Sequence, residues 1–163
     1  MKLLTNTKNW NCTIASAAMV MDCSIEDLEE LIGHDGSEII FPEYREPGNR
    51  KGFHMQEVID VALRMGFTVT PIEVLPRQCV FEDGAGTYTI FTDEEAEKRL
   101  RNHFSKGSGI IIGQRRSGLC HAVAWDHNTQ TIYDPNGRTY TLDNIKNFDI
   151  KIFWRFDKIL SIK

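Results

Sequence analysis

The chain has 163 residues, of which 41% are hydrophobic and 26% charged, with a formal net charge of -4 at pH 7. That length suits a single domain over residues 1–163, able to bury its own core without a disulfide or metal staple, and the composition lacks the bias of disordered or fibrous chains. The acidic balance argues against nucleic acid as a partner, since Gln114, Arg115 and Arg116 offer only a local basic rim.

The opening residues turn polar after Leu3 and Leu4, too soon for a signal-peptide core, and no apolar stretch approaches a membrane span. No membrane partner is expected. Cys12, Cys23, Cys79 and Cys120 have neither CxxC spacing nor the density of a secreted disulfide scaffold. A reducing, cytoplasmic location follows, and the chain has the style of a bacterial or phage protein acting inside a cell.

Residues 12–21 are small and apolar nearly all round, which predicts a central helix packed on every face, with Cys12 in its first turn. Ser24 then caps a second helix whose stripe is Leu28, Leu31 and Ile32, and Gly33 ends it. Residues 37–52 contain Pro42, Pro47 and Gly48 without period and read as a surface excursion that shapes one wall of a cleft. Met55, Val58, Ile59, Ala62 and Leu63 recur at helical spacing, so 54–65 is a third helix, stopped at Gly66. Strand alternation follows over 67–74, with Pro71 marking an edge or bulge. Residues 76–88 read as loop, and a capping box from Thr92 to Glu95 opens a fourth helix ending near Phe104.

Strands then dominate: 109–113, 120–125, 130–133, a turn at Asp134-Pro-Asn-Gly137, 139–141 and 151–156. Helices first and a mostly antiparallel sheet afterwards predict an α+β domain of two packed layers.

By base rate, a cysteine in an apolar helix is a buried structural residue. The position of Cys12 argues otherwise, because a helix N-terminus stabilises a thiolate through its dipole and unpaired N–H groups, and a neighbouring imidazolium stabilises it further. The lead-in Thr5-Asn6-Thr7-Lys8-Asn9-Trp10-Asn11 supplies side-chain amides able to donate to an oxyanion, from Asn6, Asn9 or Asn11. His121 begins a strand, and a turn near His127-Asn128 folds the next strand back so that Asp134 stands beside it. A carboxylate there fixes the tautomer of the histidine and stabilises its imidazolium.

The helix-borne cysteine of Asn11-Cys-Thr-Ile-Ala-Ser-Ala-Ala-Met-Val-Met, followed by His121-Ala-Val and by Asp134-Pro-Asn-Gly137, resembles the papain-like cysteine peptidases. It is most similar to the compact group that includes the double-glycine leader peptidases of bacteriocin exporters. The resemblance covers the nucleophile helix and the His-to-Asp hairpin, and nothing in 33–88 extends it. It implies a helical half carrying Cys12 as nucleophile, packed on a sheet half carrying His121 as base and Asp134 as its orienter. The family also places an oxyanion-hole glutamine six residues before the cysteine, where this chain has Asn6, and a glycine after the cysteine, where it has Thr13.

The function implied is cleavage of a peptide or isopeptide bond in a peptide or protein substrate through a thioester, without a cofactor. The alternatives are a catalytically silent binding protein of the same shape, acting as inhibitor or decoy, and a thiol acyltransferase or amidase. Trp10, Asn11, His34 and His54 are candidates for lining the substrate groove. No spaced set of metal ligands is present, and His34-Asp35 is read as a helix-ending loop bordering the cleft. Cys120 is expected to point into the core, and Cys23 and Cys79 to be inert.

Overall fold

The computed structural model describes residues 1–37, 52–73, 77–80, 87–91, 93–115, 118–145 and 148–159. Most of the excursion expected over 37–52, the Thr92 cap, Arg116 and the side chains of Cys79 and Arg115 lie outside the described residues. The helices are α1 Cys12–Met21, α2 Ile25–Ile32, α3 Met55–Arg64 and α4 Asp93–Phe104. The strands are β1 Phe67–Glu73, β2 Arg77–Val80, β3 Thr87–Phe91, β4 Gly109–Arg115, β5 Cys120–Asp126, β6 Thr131–Asp134, β7 Arg138–Tyr140 and β8 Phe148–Lys158. Six strands form one sheet in the order β1-β8-β4-β5-β6-β7, with every neighbouring pair antiparallel, so the α+β class and the edge position of the Pro71 strand agree with the sequence.

Two expectations change. Residues 77–80 and 87–91, which fall in or next to the stretch 76–88 read as loop, pair as an antiparallel ribbon instead. Thr87-Tyr-Thr-Ile-Phe91 consists of strand-forming residues that the loop reading passed over, while the short 77–80 run takes its strand form from this partner. The layering also differs. Ile110, Ala122 and Phe156 face the helices α1, α2 and α3 in one core cluster, while Ile111, Val123, Trp125 and Phe153 face Phe104 of α4 in another. The sheet is therefore covered on both faces. The physical reason is that β4, β5 and β8 are apolar at successive positions, so their central stretches cannot leave one face in water.

Helix α1 is the element that positions the site. Ile14 to Met19 are all buried, and Ala15, Ala17 and Ala18 share a cluster with Ala122 of β5. Small side chains at this contact allow the helix and strand backbones to approach closely. Its C-terminus turns through Asp22 in the left-handed region (φ 58°), whose N–H bonds the Ala18 carbonyl.

Candidate active site

The lead-in to α1 is held as a bonded arch. Asn11 is fully buried and stands at the N-cap, yet its carboxamide does not cap the helix. It turns back instead, accepting from the Lys8 N–H at 3.4 Å and donating to Thr7 Oγ1 at 3.4 Å. Asn6 donates through Nδ2 to the Lys8 carbonyl at 3.2 Å, and its backbone N–H donates to the Pro135 carbonyl at 2.8 Å. The Lys8 ammonium pairs with Glu29 of α2 at 2.9 Å and Asp35 at 3.2 Å. Trp10 Nε1 donates to the Asp35 carbonyl at 3.1 Å. Asp35 itself is brought down to about 2 by the hydrogen bonds from Ser37 and then by Lys8. The consequence is that Cys12, at the first position of α1, sits on a fixed backbone with no side-chain cap over the N-terminal N–H groups.

Strand register supplies the second half of the site. β5 and β6 pair at Ala124↔Tyr133, Trp125↔Ile132 and Asp126↔Thr131, and then the ladder ends. Asp134 is the last residue of β6, and the turn that follows it carries Asn136, so both stand at the mouth of the hairpin beside His121. His121 Nε2 donates to Asp134 Oδ1 at 2.8 Å, both residues being buried. The same Oδ1 accepts the Asn136 N–H at 2.8 Å, and Gly137 N–H closes the turn on the Asp134 carbonyl at 2.9 Å. Gly137 has φ 83°, which a side chain rarely tolerates.

Because β6 leaves β5 before reaching it, the Ala122 backbone can serve Cys12 rather than a strand partner, and this group and the His121 ring both act on the thiol to favour its ionised form. With Nε2 committed to Asp134, Nδ1 is the ring nitrogen that faces the sulfur. Burial pushes the Cys12 thiol up, but the hydrogen bond with His121, the Ala122 backbone, the charge of the imidazole and the Thr13 hydroxyl outweigh it, and the net shift is downward. For His121 burial disfavours the charged ring, while the Asp134 and Cys12 bonds favour it more strongly, and the net shift is upward. Opposite displacements of this kind favour a thiolate beside an imidazolium.

The opposite strand supports the ring. Gly113 pairs with His121 across β4 and β5. A Cβ on Gly113 would meet the Asp149 carbonyl at 2.6 Å and the Phe148 ring at 2.6 Å. The Phe148 ring thus lies over a position without a side chain, and it meets the His121 ring edge-on at a centroid distance of 6.3 Å.

Of the residues singled out in the sequence, Cys12, His121 and Asp134 come together, and Asn6 is tied to the turn that follows Asp134. Asn11 is a buried tie of the lead-in rather than a groove residue, because both ends of its carboxamide are engaged there. Trp10 is half-buried against the 33–37 loop. His34 bonds Glu57 Oε1 through Nε2 at 2.8 Å, accepts the Gly36 N–H on Nδ1 at 2.9 Å and stacks on Phe53. His54 is the N-cap of α3, accepting from the Gln56 N–H, while its own N–H donates to Glu57. Both histidines serve the packing of one loop and one helix end.

Cys120 is exposed, not packed in the core, because β5 emerges from the helix layer at its first residue. Cys23 is half-buried, and burial with Asp27 and Asp22 nearby pushes its thiol up to about 11. Sequence reasoning missed Asn136, the Ala122 backbone, Phe148 and Gly113. The sequence placed Asn136 in the Asp134-Pro-Asn-Gly137 turn, and a turn carries no period from which the direction of its side chain could be read. No signal existed for Phe148, which is distant along the chain.

No protein-family model matches the chain, and no curated protein matches it. Among the described residues no helix is long and apolar enough to cross a membrane.

Proposed function

We propose that the protein is a papain-like cysteine hydrolase that cleaves a peptide or isopeptide bond through a thioester intermediate, with Cys12 as nucleophile, His121 as general base and acid, and Asp134 as orienter. The observation that carries the reading is the buried His121 ring, bonded to Asp134 at 2.8 Å through Nε2 while it also acts on the Cys12 thiol to favour the thiolate. A structural histidine has no need of a thiol at a helix N-terminus on one side and a buried carboxylate on the other.

In the reaction, the Cys12 thiolate adds to the carbonyl carbon of the substrate. The resulting oxyanion is met by the Cys12 backbone N–H and by the Asn6 amide, which must exchange its Lys8 carbonyl for the substrate oxygen. The His121 imidazolium then gives its Nδ1 proton to the departing amine as the C–N bond breaks, leaving a thioester on Cys12. Water attacks the thioester as the now neutral Nδ1 takes its proton, the C–S bond breaks to release the carboxylic acid, and the freed thiolate stands again beside the imidazolium. Asp134 holds the ring in the tautomer that presents Nδ1 to sulfur throughout. The unpaired thiols of Cys12, Cys23 and Cys120 suit a reducing compartment, and the cytoplasm is the assignment that follows.

The test is the rate of Cys12 alkylation by iodoacetamide from pH 4 to 10, located by mass spectrometry, in wild type and His121→Ala. A reactive plateau below pH 7 that vanishes in the variant is expected. A single rise near the free-thiol value of about 8.5 in both proteins would remove the catalytic reading.

A further inference from the structure

His121 Nε2 has a second polar neighbour. Asn136 Nδ2 stands 3.3 Å from it, carried there by the turn that follows β6. Two N–H donors repel rather than bond, and Nε2 carries the proton that Asp134 accepts. A half-turn of the carboxamide exchanges its nitrogen and oxygen in place, so the arrangement that satisfies both groups has Asn136 Oδ1 facing Nε2–H. Asn136 is exposed, whereas Asp134 beneath it is buried, so the carboxamide lies on the solvent side of the His121–Asp134 bond.

We propose that Asn136 is a second positioning residue for His121, its carboxamide oxygen sharing the Nε2–H with Asp134 and covering that bond from water. The proposal rests on the thiolate–imidazolium reading above. The titratable groups bonded to the ring are Cys12 from α1 and Asp134 from β6, with the Phe148 ring of β8 against its edge. The turn backbone holds the carboxamide in place, since the Asn136 N–H is fixed on Asp134 Oδ1 at 2.8 Å. An oxygen at this position favours the charged ring; an amide nitrogen would favour the ring without its Nε2 proton. The two orientations therefore predict shifts of opposite sign.

The experiment is the pH profile of Cys12 alkylation in the intact protein, wild type against Asn136→Ala and Asn136→Asp, with thermal melts run in parallel. The upper limb of the reactive plateau reports loss of the imidazolium proton. In Asn136→Ala it should move down by roughly half to one pH unit, the excess of a hydrogen bond from the charged ring over one from the neutral ring, which keeps the same Nε2–H. In Asn136→Asp it should move up. An upper limb unchanged in both variants, or moved up in Asn136→Ala, overturns the proposal while the wild-type plateau still upholds the catalytic pair. A wild type with no plateau overturns the catalytic pair and this inference with it.

Discussion

His121 and Asp134 meet at 2.8 Å just beyond the point where the β5–β6 ladder stops, so the bond between them replaces the backbone pairing that would have continued there. The end of the ladder and the start of the site are one structural event. On the strand it frees, the Ala122 backbone acts on the thiol of Cys12, the first residue of α1.

Removing the carboxylate should therefore act on the imidazolium first. In Asp134→Ala the upper limb of the Cys12 alkylation profile is expected to fall by roughly one to two pH units, since a buried carboxylate in contact with a cation raises its pKa by about that much. The sign follows from the upward displacement of His121, to which the Asp134 bond is the largest favourable contribution. The narrowed plateau is checked with the same iodoacetamide series.

Asn6 separates thiolate formation from acyl transfer. Asn6→Ala should leave the alkylation profile in place, because Asn6 bonds the Lys8 and Pro135 carbonyls and neither Cys12 nor His121. Turnover of a cleavable peptide should fall by about 10²–10³ in kcat, as for loss of one oxyanion donor. Equal losses in both measurements would place Asn6 in the scaffold only.

Gly113→Ala tests the support of the ring from the neighbouring strand. A Cβ there meets the Asp149 carbonyl and the Phe148 ring at 2.6 Å, and backbone cannot move aside cheaply. Destabilisation of about 1–3 kcal/mol in urea unfolding is expected. The low-pH reactivity of Cys12 should fall as well, because Phe148 displaced toward His121 disturbs the ring.

Glu57→Ala addresses His34 and His54. The Glu57 carboxylate takes the His34 ring at 2.8 Å and the His54 N–H at 2.7 Å, closing the N-terminus of α3. Its loss should cost about 1–2 kcal/mol of stability, the scale of a helix cap. Cys12 reactivity should be unchanged. A fall in substrate affinity at constant stability would instead return these histidines to the substrate groove.

The elements that repeat a local pattern were legible in the chain: the all-round apolar 12–21, the stripe of 54–65 and the alternation of 67–74 each specify their own geometry. Half of the ribbon of 77–80 with 87–91 was not, because Arg77-Gln-Cys-Val80 has no strand period and is defined by its partner, whereas Thr87-Tyr-Thr-Ile-Phe91 does carry strand-forming residues. Both-sided cover of the sheet was written in the successive apolar residues of β4, β5 and β8, though which helix covers which face was not.

The site divides in the same way. Residue types and chain order alone singled out Cys12 at a helix start and His121 and Asp134 on a hairpin, since helix termini and strand periods are local and their chemistry follows from position. Tertiary structure alone decided that His34 and His54 are engaged with Glu57 and the start of α3, that Asn11 is a buried tie of the lead-in, that Cys120 faces solvent, and that Asn136 and Phe148 stand at the His121 ring. Hydrogen-bond partners and burial depend on which distant segments meet, and a sequence states periods far more plainly than it states meetings.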